Sequence, residues 1–303
     1  MTDDENIPMD DSEELQPANL DPDAAKAFEA LMKVVGGEAG LRRAFSDPQA
    51  LLAKALDGMS NLSEWATEYE DSLPAHFRAV GFPVQSHQEL EWLLSDVITE
   101  YDVVETDLGQ LYQWRDASGA EAWLHAAGEQ ITGVGVHFDG PARLRSSLLW
   151  AARSDDDPLY GYFHGWAAPN DEHPEVGAHP IALEMPDFCL HAGLELPAIR
   201  SVQVTALAHR LEAYASEADF YAQQDKPIIG AQAYFPMGVQ AVFSGLVTDC
   251  AWLTNTLSGE PFLWAQVQTM SGEINVVAEP GVVRGEVVKG GVVKGSFCLS
   301  GRL

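Results

Sequence analysis

Six side chains able to ligate a metal crowd one short stretch, HGWAAPNDEHPEVGAHP: His164, Asp171, Glu172, His173, Glu175 and His179. Imidazoles and carboxylates are the ligands that zinc and iron take, and one loop can bring near neighbours around one ion. His164, His173, His179 and Asp171 are therefore the candidate ligands of a divalent metal, in a metal-binding protein or a metal-dependent hydrolase. Their spacing matches no pattern such as HExxH, in which two histidines one helical turn apart share a face. The plain alternative is a solvated, proline-rich loop between strands, polar because water surrounds it.

Other tempting chemistry fails on spacing. The stretch GVVRGEVVKGGVVKG, Gly281 to Gly295, repeats a five-residue unit three times and invites a phosphate-binding reading. A phosphate loop needs glycine, lysine and then a hydroxyl residue opening a helix, so that the lysine meets the phosphates and the hydroxyl the magnesium. Here Lys294-Gly295-Ser296 transposes the first two, and Phe297-Cys298-Leu299 is no helix start. Valine pairs between glycines favour extended chain, and Gly290-Gly291 is a strong two-residue turn, which predicts a hairpin with arms Glu286–Lys289 and Val292–Ser296. ITGVGVHFDG lacks the third glycine of a dinucleotide fingerprint, since Phe138 stands there. No nucleophile elbow is present, and Cys189 near His191 reads as a buried thiol at the end of an apolar element. No catalytic residue and no bound organic cofactor is assigned on this evidence.

The bulk composition narrows the partners. Lys and Arg number 17 against 46 Asp and Glu, a formal net charge of -29 over 303 residues. Such a surface repels nucleic acid and anionic membranes and suits solubility, a high-salt cytosol or docking onto a basic protein, and charge alone does not choose among the three. Three scattered cysteines, Cys189, Cys250 and Cys298, argue for a reducing compartment. No basic and apolar leader opens the chain. The uncharged stretch Pro227 to Thr248 contains Pro236, three glycines and two glutamines, which suits a buried loop and strand better than a spanning helix. A cytoplasmic protein is expected.

The elements that must position these residues follow from periodicity. Residues 1–20 are acidic and poor in apolar side chains, an expected disordered tail. Over 21–104 helical signals dominate: Asp21-Pro22 as a start, Gly36-Gly37 as a stop, Asp47-Pro48 as a second start, and Ser86-His87-Gln88-Glu89 as a capping box. Over 105–236 the period turns to two, with a turn at Asp116 to Gly119 and another around Ser154 to Pro158, predicting an antiparallel meander. Val204, Leu207, Ala208, Leu211, Ala215, Ala218 and Ala222 then fall at helical spacing, predicting one long helix over 203–224.

From 237 to 303 the chain reads as strands again: VQAVFSGLVTDCAWLTN broken by Gly245, PFLWAQVQTM, EINVVAE after the turn Ser271-Gly272, and a final GSFCLSGRL. This rhythm is similar to a small barrel of the OB-fold type, whose first strand is long and bends at a glycine. The helix such barrels carry between the third and fourth strands is missing, and the glycine–valine repeat occupies its place. The resemblance implies oligonucleotide binding, with Trp252 and Trp264 stacking bases and Lys289 and Lys294 meeting phosphates. The strong negative charge argues against it.

The expected fold is therefore α+β: a helical N-terminal part, a central antiparallel sheet with one long helix, and an OB-like C-terminal barrel or sheet. The expected function is non-enzymatic: binding of another, basic protein through an acidic surface, in an inhibitor, immunity-type or adaptor role.

Overall fold

Strand β8, Ala198–Tyr214, organises the molecule, and it occupies the stretch whose spacing had predicted a helix. In the computed structural model, which describes residues 73–94, 98, 100–128, 130–154, 157–223 and 230–303, β8 is buried on both faces. Val202, Val204, Ala206, Ala208 and Leu211 enter one core, while Leu207 enters a second core on the opposite side. An apolar residue at nearly every position satisfies a helical template as readily as a strand template. The chain turns helical only at α4, Glu217–Ala222, where the Ser216 hydroxyl accepts from the Asp219 amide.

Of the interpretable residues, 54% are strand and 12% helix, which overturns the expected α+β class: this is a mostly β protein with a few short helices. Chain contacts define two units, Met1–Ser63 and Glu64–Leu303, and every described residue belongs to the second. The acidic tail and the helices expected before residue 73 lie outside the described residues. Within 73–104 two short helices remain, α1 (Leu73–Arg78) and α2 (His87–Trp92). The α2 start is where the capping residues put it: Ser86 Oγ accepts from the Glu89 amide at 3.2 Å, and the Glu89 carboxylate accepts from the Gln85 amide at 2.6 Å. A one-turn helix α3, Phe188–His191, completes the set.

Four strands form an antiparallel meander in the order β1 (Asp102–Thr106), β2 (Gly109–Arg115), β3 (Ala120–Ala127) and β4 (Gln130–Phe138). The β2–β3 turn is Asp116 to Gly119, with Gly119 at φ +94°, a left-handed value that glycine adopts without strain. The second sheet contains β5 (Leu144–Arg153), β6 (Gly161–Ala167), β7 (His179–Met185), β8, β9 (Tyr234–Met237), β10 (Gln240–Thr254), β11 (Pro261–Thr269), β12 (Gly272–Ala278), β13 (Val283–Arg284) and β14 (Val292–Arg302).

Its pairings close on themselves twice. One ring runs β8–β12–β11–β10–β14 and back to β8; the other runs β8–β5–β6–β7–β14 and back to β8. The second ring closes through one parallel bridge, Ser300 to Glu184. Strands β8 and β14, antiparallel from Gln203–Arg302 to Tyr214–Val292, are the wall common to both rings. The C-terminal strands over 237–303 therefore make no self-contained barrel, because β8 from outside that segment supplies the missing wall.

The glycine–valine repeat is corrected by the same pairing. Val292 onward does become a strand, but both of its edges are taken, by β8 on one side and β10 on the other. No edge is left for Glu286–Lys289, and the expected hairpin does not form. Instead Val283–Arg284 pairs parallel to β8, and Gly285 (φ +88°) and Gly290 (φ +83°) turn the chain into β14. A side chain at Gly285 would also meet the Ala213 carbonyl oxygen at 2.4 Å.

The larger core fills the rings, and a second core lies between the other face of β8, β12 and β14 and a cover made of α1, α2, β3 and β4. Phe77, Phe82, Phe138 and Phe262 are buried there. Each such ring contributes about 1.5–3 kcal/mol by leaving water. This packing brings α1 and the four-stranded sheet down onto the seam where the second ring closes.

Candidate functional site

The four loop residues expected to ligate a metal are each held by a different partner. His164, on β6, stacks flat on Trp150 at 3.6 Å, and burial lowers its pKa to about 4. His179, at the head of β7, stacks on Tyr234 at 3.7 Å; its Nε2 meets Ser271 Oγ at 2.8 Å and its Nδ1 the Pro180 carbonyl oxygen at 3.1 Å. Burial lowers its pKa to about 4 as well. His173 is exposed beside Glu175 at 3.3 Å, and Asp171 is exposed in an ion pair with Arg145. The Asn170 side chain accepts from the Glu172 and His173 amides, so the loop is locally ordered by turn bonds.

The residues expected to contact an oligonucleotide are likewise divided. Trp252, on β10, is 55% exposed. Trp264, on β11, packs against the second core and donates its indole N–H to Asn275 Oδ1 at 3.4 Å. Lys289 is exposed in the turn before β14. Lys294, on β14, is half-buried beside Glu212; burial lowers its pKa, and the Glu212 charge opposes that. One tryptophan is exposed and the other is half-buried against the second core.

The polar groups that sequence reasoning missed lie in the interior. His125 meets Asp157 through Nδ1 and the Pro186 carbonyl oxygen through Nε2 at 2.7 Å. Both ring nitrogens thus face acceptors, and neither points at a nucleophile. Burial by itself would raise the Asp157 pKa, but His125, the Leu159 amide and the Thr132 hydroxyl hold it below the ordinary value. Cys189, nearby, has its thiol pushed up, first by burial and then by the Asp187 charge, the reverse of what a reactive cysteine needs.

A second network ties the two sheets together. Glu121, 1% exposed, accepts from Arg302 at 2.7 and 3.0 Å, from Gln113 at 3.0 Å and from the Trp123 indole at 3.3 Å. Burial raises its pKa and the Arg302 charge opposes the rise. Beside it His137 bridges Ser300 Oγ (2.9 Å) and Gln203 Oε1 (3.2 Å), its pKa lowered to about 3 by burial and then by Arg302. A depression of about 150 Å³ opens next to this network, lined by Arg115, Asp139, Arg143, Gln203, Arg302 and Leu303. Its arginines are engaged already: Arg302 with Glu121, Arg115 with Gln113 at 2.6 Å, and Arg143 with the Gly140 carbonyl oxygen at 2.8 Å. These contacts read as structure.

Among the described residues, the side chains whose ligand atoms come within 4.8 Å of one another in a metal-binding combination are His76, Glu184 and Cys298. They stand on α1, β7 and β14, and no spacing in the sequence links them. Burial lowers the His76 pKa to about 3, with His209 adding to the effect, and burial raises that of Glu184.

The surface offers one feature of a different kind. Among the described residues β1, sequence DVVET, pairs with β2 alone, and its other edge has no strand partner there. Val103 is 50% exposed and Val104 36%, and Glu100, Asp102, Glu105 and Asp107 around them are exposed. Neither lysine, arginine nor proline occurs between residues 100 and 110. The result is an open, apolar and acidic strand edge.

No protein-family model, no curated protein and no solved structure matches this chain. Among the described residues no helix is long and apolar enough to cross a membrane.

Proposed function

We propose that this protein binds a basic partner, which adds a strand to the open edge of β1, and that it acts in the cytoplasm as an inhibitor, immunity-type protein or adaptor without catalysis of its own. The observation that carries this reading is the outer edge of β1, which has no strand partner among the described residues. Exposed edges are normally blunted by charged side chains, lysine above all, by proline or by a bulge, because an open edge pairs with any available strand. β1 has neither lysine nor proline, and instead frames two exposed valines with acids. Two copies of such an edge repel each other, whereas a strand bearing Lys or Arg is attracted. Backbone hydrogen bonds would supply affinity, apolar contact with the exposed Val103 and Val104 a share of specificity, and the -29 net charge long-range steering. Cys189, Cys250 and Cys298 form no disulfide, in keeping with a reducing compartment.

The test is co-purification from the native cell with a C-terminal tag at low and high salt, using the natural chain and the double variant D102K/E105K. A near-stoichiometric basic partner held at low salt, released at high salt and absent from the folded double variant is the expected result. Retention of the same partner by the charge-reversed edge would overturn the proposal.

A further inference from the structure

We infer that His76, Glu184 and Cys298 bind one transition-metal ion of the zinc class, which staples α1 to the seam of the second strand ring. This inference stands apart from strand addition at β1. His76 is 7% exposed and Cys298 fully buried, and the three ligand atoms lie mutually within 4.8 Å. Imidazole nitrogen, carboxylate oxygen and thiolate sulfur are a set that zinc accepts and that calcium and magnesium, which require oxygen ligands, do not. A divalent ion with one thiolate, one carboxylate and one neutral imidazole sums to zero charge, the condition for burying an ion cheaply in an apolar interior.

The surroundings fit a metal centre. His209 on β8 meets the His76 ring, Nε2 to Nε2, at 3.3 Å, the kind of outer hydrogen bond that orients a ligating histidine. Tyr160, just before β6, hydrogen-bonds the Glu184 carboxylate. A cavity of about 10 Å³ beside His76 and Glu184 is lined by the polar Tyr160 and Ser300 as well as by Leu73, Val134, Val136 and Pro186. That is room for about one water or one ion, and for no substrate, so the ion serves the fold and not a reaction.

The location explains the need for a staple. The second ring closes through the Ser300–Glu184 bridge alone, and α1 is a six-residue helix whose own backbone bonds are few. One ion joining α1, β7 and β14 fastens both weak points together.

The experiment uses untagged full-length protein, stripped with chelator and titrated with Co²⁺, then with Zn²⁺ in competition. The expected result is a thiolate-to-cobalt charge-transfer band that saturates at one equivalent and disappears as Zn²⁺ displaces Co²⁺. Because the chain has three cysteines, the double variant C189S/C250S leaves Cys298 as its sole thiol. The band must survive in that variant and be lost in C298S, and E184Q should weaken Co²⁺ binding at least tenfold. If C298S does not fold, the double variant decides the matter alone. Absence of the band from folded C189S/C250S overturns the inference. So does Co²⁺ binding without a thiolate band, because the His164–His179 loop contains no cysteine and would give that result.

Discussion

Two valine pairs in this chain have the same local chemistry and opposite fates. Val103-Val104 lies in β1, and Val292-Val293 opens β14. The first pair is 50% and 36% exposed; both members of the second are fully buried. Strand β14 is hydrogen-bonded along both edges, to β8 and β10, and packed on both faces. Among the described residues strand β1 has one neighbour, and four acids stand about it. β-propensity makes both segments extended, but the number of strand neighbours decides whether a valine serves the core or the surface. The buried carboxylates of Glu121 and Asp157 are matched to partners in the interior, while among the described residues the outer edge of β1 has no strand beside it.

Several measurements break or sharpen that contrast. The largest effect is expected from a buried charge: Val293→Asp should cost on the order of 4 kcal/mol or more and leave little folded protein, because an unpaired carboxylate has no partner there. Val104→Asp should shift stability by about 0.5 kcal/mol. Denaturant unfolding of the two variants compares the strands directly, and similar losses would dissolve the distinction between them.

Next in size is Arg302→Ala, which removes the closer of the two cations beside buried Glu121 and leaves only Arg115, at 3.8 Å; a loss of about 3 kcal/mol is expected. The pH profile gives a sharper reading than the loss itself. The Glu121 pKa is raised in the folded protein, so its unfavourable term is absent below the ordinary carboxylate range and grows as pH rises through the folded value. Removing the arginine that opposes the rise should widen that window and steepen the fall of stability with pH. The variant E121Q/R302A should flatten it again.

A loss of about 1.5–3 kcal/mol should follow Asp157→Asn, which weakens the bond to His125. The Asp157 pKa is held below its ordinary value, so its contribution is present above about pH 4 and is lost as pH falls through the folded value. The natural protein should therefore lose stability in acid more steeply than the asparagine variant, measured by thermal unfolding across the acid range. The smallest change in stability, within about 0.5 kcal/mol, is expected for D102K/E105K, since both side chains are exposed. Binding of a basic strand should nonetheless weaken by about tenfold or more and lose its salt dependence, read by fluorescence anisotropy with an alternating Lys–Val peptide.

Much of the local structure was legible and most of the site chemistry was not. The turn at Asp116 to Gly119 is announced by its own residues: Asp116 Oδ2 accepts from the Ser118 amide and Gly119 takes the left-handed conformation. The cap at Ser86 is announced in the same way. The loop histidines drew attention because they are close in sequence, yet closeness in sequence did not gather them: Tyr234, Ser271 and Trp150, from elsewhere in the chain, hold them apart. His76, Glu184 and Cys298 gave no signal, because each is an isolated residue of its type within its own segment. Without the pairing of β14 to β7 and the seating of α1, nothing relates them.

The sequence by itself determined the acidic surface, the turns, the helix caps and the extended or helical bias of each short run, because these depend on bonds spanning a few residues. Tertiary structure alone decided that β8 is a strand, that Val292 has two neighbours while Glu286–Lys289 has none, and that β8 closes the ring its C-terminal partners leave open. A residue such as Leu207 fits a helix or a strand equally well until a second core packs on its face. That core is assembled from α1, α2, β3, β4, β8, β11, β12 and β14, whose pairing energies outweigh the small differences in local propensity.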